Sequence, residues 1–148
     1  MSTYGHALYQ LVFTTKYRGK TLQKSHREAL YKFIWGLLKE KKCYLYRIGG
    51  VEDHIHIIVD LHPSVAVAGL IKDIKLGATA YIKEQQLFPH FAGWQKGYAY
   101  FTYANEARRN LINYVKNQEE HHHKQEYKEE LVGMLAEQGV EFDERFLD

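Results

Sequence analysis

The stretch Val51-Glu52-Asp53-His54-Ile55-His56-Ile57-Ile58-Val59-Asp60-Leu61 carries two histidines one residue apart in a β-branched run. Such a run reads as a strand. Alternate side chains of a strand point to opposite faces, so His54 and His56 share one face and Ile55, Ile57 and Val59 the other. Two imidazoles side by side on a sheet are a two-point nitrogen ligand set for a divalent metal. The same pair also occurs as ordinary surface or neighbour-satisfied histidines, so further residues are needed to decide between the two.

Those residues lie in Leu111-Ile112-Asn113-Tyr114-Val115-Lys116-Asn117-Gln118. Leu111, Ile112 and Val115 form an apolar stripe at helical spacing. Tyr114 and Gln118 are four apart and share another face of the helix. A phenolic hydroxyl and a side-chain amide are thereby presented together.

The elements that must position these groups follow from periodicity and punctuation. Residues 7–15 (ALYQLVFTT) form a first strand, and Lys16-Tyr17-Arg18-Gly19-Lys20 a basic turn. Ser25 and Glu28 have the spacing of a capping box. They open a helix to about Lys41 with Leu30, Phe33, Ile34, Leu37 and Leu38 as its buried stripe. Residues 43–48 read as the second strand and Gly49-Gly50 as a turn or bulge before the histidine strand. His62-Pro63 ends that strand, and Ser64 or a neighbour is placed to cap a helix from about Val65 to Gln86. That helix is rich in small residues and carries Lys72, Lys75 and Lys83, which predicts close packing on the sheet or on another chain. Residues 88–96 form a loop and 97–103 an aromatic fourth strand. Asn105 is placed to cap a helix to about His122, and a last helix spans about 124–138 before a short tail. His121-His122-His123 reads as a solvated helix end.

The order β-α-β-β-α-β predicts an α+β fold of the ferredoxin-like or RRM-like kind: an antiparallel four-stranded sheet with helices on one face and additional C-terminal helices. The other sheet face is expected to be open, with the histidines on it. Residues 1–123 make one domain and residues 124–148 a C-terminal helical extension and tail.

Composition excludes several classes. No apolar run is long enough to span a bilayer and no signal peptide is present. A lone Cys43 rules out an internal disulfide and fits a reducing cytoplasm. The net charge of +2 is too small for bulk coating of nucleic acid. Its distribution is uneven: Lys and Arg dominate from Lys16 to Arg47, and acidic residues after Gln118, which suits a local phosphate-facing surface. Many of the twelve tyrosines sit in strands, where they serve sheet packing and base stacking alike.

An Asp-His-hydrophobe-His strand, a lone helix tyrosine and a glutamine four residues on, within this element order, resemble the HUH single-tyrosine (Y1) transposases of the IS200/IS605 type. Lys16-Tyr17-Arg18 resembles the family's basic KYR segment. Asp53 to Val59 matches its DHxH strand, residues 71–78 its lysine-bearing helix, and Trp94-Gln95-Lys96-Gly97-Tyr98 its lead-in to the fourth strand. The resemblance covers about residues 4–123, and residues 141–146 resemble a tail found in relatives associated with repeated palindromes.

The resemblance implies a DNA transposase that cuts and rejoins single-stranded DNA at hairpin-marked ends. Tyr114 would be the nucleophile, forming a 5′-phosphotyrosine. His54, His56 and Gln118 would hold one divalent cation, Mg²⁺ or Mn²⁺. Lys16, Arg18, Lys72 and Lys75 would contact backbone phosphates, and the active sites of a homodimer would be shared between chains. Three other readings share parts of the pattern. HUH relaxases and replication initiators often carry further tyrosines, a third histidine or extra domains. A domesticated nickase would cut a genomic palindrome without moving itself. A ferredoxin-like nucleic-acid-binding module without catalysis would leave the His/His/Gln/Tyr set unused.

Overall fold

A computed structural model describes residues 2–118, 120 and 126–147. Strand β1 spans Leu8–Thr14, helix α1 Lys24–Glu40, β2 Tyr44–Gly50, β3 His54–Asp60, α2 Val67–Gln85, β4 Ala99–Tyr103, α3 Arg108–Lys116 and α4 Tyr127–Glu137. The strands lie in the order β2-β3-β1-β4, and each neighbouring pair is antiparallel. This is the expected β-α-β-β-α-β sheet with a C-terminal helix added.

Period-two alternation divides the sheet into two faces. Leu11, Phe13, Ile55, Ile57 and Val59 point to the first face and pack against Leu30, Ile34 and Leu38 of α1 and Leu70, Ile71, Ile74, Ala78 and Ile82 of α2. Of the small residues of α2, Gly77 and Ala78 serve this packing, while Ala68, Gly69 and Ala80 are exposed. A Cβ on Gly77 would stand only 3.2–3.3 Å from Leu37 and Phe33, so its bareness lets α1 and α2 meet.

The second face is not open. Val115, with Leu111 and Tyr114 of the same helix, packs α3 against Leu8 and Ile58. Tyr127, Leu131 and Leu135 of α4 lie on Val12 and Phe101. These three recur every four residues and make one stripe, which the sheet buries because water would otherwise face it. The molecule therefore has three layers, with the histidine face enclosed between the sheet and two helices.

Several local expectations are corrected. The Ser25/Glu28 capping box does not form, because α1 begins two residues earlier, at Lys24 behind Gln23, with no side-chain cap. Ser64 caps nothing either. Its hydroxyl and amide turn back onto His62 Nδ1 (2.7 and 3.2 Å), and α2 starts behind Ala66. Asn105 lies in a single 3₁₀ turn that precedes α3. Gly49 and Gly50 are ladder residues of β2, paired with His56 and Ile55, rather than a turn. The expected helix end at His121-His122-His123 lies outside the described residues.

Candidate active site

Neighbouring side chains fix the orientation of both histidines. His54 and His56 are wholly buried on the second face, opposite Thr14 and Val12 of β1. His54 Nδ1 meets Asp53 Oδ1 at 2.7 Å, and His56 Nδ1 meets Gln10 Oε1 at 2.9 Å. Gln10 Nε2 donates in turn to the Tyr103 hydroxyl at 2.9 Å, so its carbonyl end faces the ring. Each imidazole therefore carries its proton on Nδ1 and turns Nε2 inward, the arrangement by which outer carboxylates and amides prepare histidine ligands.

Tyr114 and Gln118 come to the same place from α3 and the turn after it. The Tyr114 hydroxyl donates to Glu130 Oε2 at 2.6 Å, and Gln118 Nε2 donates to the same oxygen at 2.7 Å. Gln118 Nε2 also stands 3.3 Å from His54 Nε2. The expected helix does not run unbroken to Gln118: α3 ends at Lys116 and Asn117 leaves helical backbone (φ −97°, ψ 18°), yet hydroxyl and amide still meet on one carboxylate oxygen. Gly49 allows it: a Cβ there would lie 2.9 Å from both the Val115 carbonyl oxygen and Val115 Cγ1. Only a bare strand surface lets the tyrosine helix lie this low on the sheet.

Sequence reasoning missed Glu130. It sits in α4, is 4 % exposed, and faces the histidines with its other oxygen: Oε1 is 3.0 Å from His56 Nε2 and 3.3 Å from His54 Nε2. The signal was present, since Glu130 falls on the Tyr127–Leu131–Leu135 stripe, where a solvated residue has no place. Gln10 and Tyr127 were also missed. The Tyr127 ring covers His54 at 4.6 Å between centroids.

The charges respond to this enclosure. Burial pushes the His54 imidazole down, but the bonds and charges of Asp53 and Glu130 outweigh it and hold it above its ordinary value. Burial, then the bond to the Glu130 carboxylate and its charge, push the Tyr114 phenol far up. Burial would raise Glu130, yet its bonds to His54 and His56 lead a set of contacts that hold it far below the usual carboxylate range.

Among the described residues, His54, His56 and Glu130 each offer a ligand atom within 4.8 Å of the others, a set able to hold a metal ion. The donors fit a divalent cation. The rings present inward nitrogens, and Gln118 Oε1 is buried with no hydrogen-bond partner among the described residues. Gln118 turns Nε2, not Oε1, toward His54 and Glu130, so its amide would have to turn over to offer a cation the oxygen.

The basic residues gather at another edge. Thr15 bridges Trp94, Lys16 N donates to the Gly93 carbonyl at 2.8 Å, and Gln95 N donates to the Thr14 carbonyl at 2.9 Å. The KYR turn and the Trp94–Tyr98 segment are therefore one unit. Tyr17 and Arg18 adopt left-handed backbone (φ 60° and 51°), and Tyr17 is exposed. Lys75 ties the unit to α2 through the Gln95 and Gly97 carbonyls (2.9 and 2.8 Å), and burial pushes its ammonium down. Lys72 is exposed beside it on a groove lined by Lys75, Trp94, Gln95 and Tyr98. Arg18 stacks on Tyr127 at 5.3 Å and donates to the Leu147 carbonyl, which connects this edge to the enclosed site.

The family described as "Transposase IS200 like" matches residues 3–118, which hold both histidines, Tyr114 and Gln118. The chain belongs to that family, and so to transposase-type enzymes that cleave DNA. A candidate transposase from Deinococcus radiodurans R1 shares the fold at a TM-score of 0.62 and 20% identity, over 80% of this chain and 95% of that one. A REP-associated tyrosine transposase bound to a REP hairpin does so at a TM-score of 0.60 and 16% identity, over 82% of this chain and 74% of that one. No curated protein matches the chain. No helix among the described residues is long and apolar enough to cross a membrane.

Proposed function

We propose that this protein cuts and rejoins single-stranded DNA at hairpin-marked ends through a covalent link to Tyr114. The observation that carries this reading is the convergence of the Tyr114 hydroxyl, the Gln118 amide and both histidine Nε2 atoms on one carboxylate, in a chain of the IS200-like family. His54, His56 and Gln118 would hold one divalent cation, Mg²⁺ or Mn²⁺. Bound there, it would offset phosphate charge and orient the scissile group.

The chain's own residues supply the rest. Asp53 and Gln10 keep the rings turned inward, and α3 delivers Tyr114 to the edge of the centre. Its oxygen attacks phosphorus and its proton passes to solvent. The phosphorus–O3′ bond breaks, giving a 5′-phosphotyrosine and a 3′-oxygen that takes up a proton from solvent. The bond energy is retained, so a second 3′-hydroxyl can reverse the step and join new ends. Lys16, Arg18 and Lys72 would contact backbone phosphates at the basic edge, with exposed Tyr17, Tyr98 and Tyr100 to stack unpaired bases. Lys75 is already engaged with two carbonyls and would act mainly by holding that edge in place. The structural neighbour bound to a REP hairpin supports a hairpin substrate.

A denaturing gel tests the reading. Labelled single-stranded hairpin DNA, incubated with the protein and Mg²⁺ or Mn²⁺, is expected to give a protein-linked band. That band should be absent with Tyr114→Phe and absent on duplex DNA. Hairpins that are bound without any adduct would instead favour a binding module.

A further inference from the structure

With both rings neutral, Glu130 Oε1 faces two nitrogens that have no proton to give it. The outer Nδ1 of His54 meets Asp53 Oδ1, and that of His56 meets Gln10 Oε1, both acceptors. A neutral imidazole carries one N–H, so both Nε2 atoms present lone pairs. With the carboxylate oxygen, three lone pairs from three wholly or nearly buried side chains point at one spot, with 3.0 and 3.3 Å between partners. Gln118 Nε2 lies 3.3 Å from His54 Nε2 and can donate to it, but the conflict at Glu130 Oε1 stays. A divalent cation removes it with both rings neutral, and its two charges match the buried carboxylates of Asp53 and Glu130.

We propose that Glu130 is a ligand of this cation, alongside His54 and His56, so that the C-terminal helix is part of the metal centre. The inference rests on reading the site as a cation centre and departs from the His/His/Gln set that the resemblance implies. Oε1 is the ligating oxygen. Oε2 keeps the Tyr114 hydroxyl and the Gln118 amide, which puts Glu130 in contact with ligands and nucleophile alike. Two imidazoles and one carboxylate form a mixed set, compatible with Mn²⁺ and Mg²⁺ through the carboxylate.

Mn²⁺ alone, without DNA, is the probe. Titration of the full chain, with free Mn²⁺ read by electron paramagnetic resonance, is expected to show one site. Glu130→Gln keeps the shape and an oxygen for Tyr114 but removes the charge, and should weaken Mn²⁺ binding by about tenfold or more. His56→Ala should abolish it. Metal-free circular dichroism and melting check that each variant folds. Glu130→Asp, which keeps the charge on a shorter arm, carries the same measurement if the glutamine variant does not fold, and should bind more weakly than the unaltered chain. Undiminished affinity in the folded glutamine variant, or in the aspartate variant used in its place, would overturn the proposal, as would an unaltered chain that takes up no Mn²⁺. The Tyr114 adduct is scored separately: its presence beside undiminished Glu130→Gln affinity removes only the ligand role of Glu130, and its absence removes the reading beneath.

Discussion

At the scale of single residues, the site depends on a side chain that is missing. Gly49 faces Val115, and any Cβ there meets the backbone carbonyl of α3 as well as a methyl group, both at 2.9 Å. Backbone cannot rotate away as a long side chain can, so the helix itself must lift. Gly49→Ala is expected to cost about 1–3 kcal/mol in chemical denaturation, within the usual range for overpacking. Lifting α3 also carries Tyr114 away from Glu130, so adduct yield should fall by more than the loss of folded protein explains. An unchanged denaturation midpoint would show that α3 does not rest on this strand.

At the scale of elements, strands and histidine geometry were legible because a period of two leaves no choice: once β3 is a strand, His54 and His56 must share a face. The Tyr114–Gln118 pairing was legible from its four-residue spacing, although α3 ends at Lys116 and the backbone leaves the helix before Gln118. Helix starts were less so. Ser25, Ser64 and Asn105 have the chemistry of caps, but packing of α1 and α2 on the sheet set the first turns elsewhere. The covered second face was not legible, because nothing local says which surface a C-terminal helix will choose. Glu130 went unread with it: its place beside the Tyr127–Leu131–Leu135 stripe was the one signal, and the charged stretch around it reads as solvated. The docking of α4 is held by its apolar stripe, and Leu131→Ala should cost about 2–4 kcal/mol. Hydrogen exchange is expected to quicken throughout Tyr127–Glu137 while α1 and β1 keep their protection. Uniform quickening in all elements would mean that α4 has no separate docking step.

At the scale of the whole molecule, the question is which chain's tyrosine serves which pair of histidines. The resemblance implies a homodimer in which the tyrosine helix of one chain reaches the other's centre. In this chain Tyr114 bonds the same Glu130 that touches His54 and His56, with the Tyr114 and His56 rings 5.8 Å apart. One protomer thus brings Tyr114, Gln118, His54, His56 and Glu130 together. Exchange between protomers would have to break the Val115–Gly49 contact and the Tyr114–Glu130 bond on both sides, with no gain in the number of such contacts afterwards. We therefore expect Tyr114 to act on its own chain's centre. Mixing His56→Ala protein with Tyr114→Phe protein checks this. Each is inactive alone: one lacks a ligand and the other the nucleophile. A shared site would pair the intact centre of the second with the intact tyrosine of the first and restore adduct to about a quarter of normal, since random pairing makes half the dimers mixed and each of these has one working site of two. A site complete within one chain restores none. The position of the label sharpens the result, because any adduct in the mixture must form on the His56→Ala chain, the only one that still carries Tyr114.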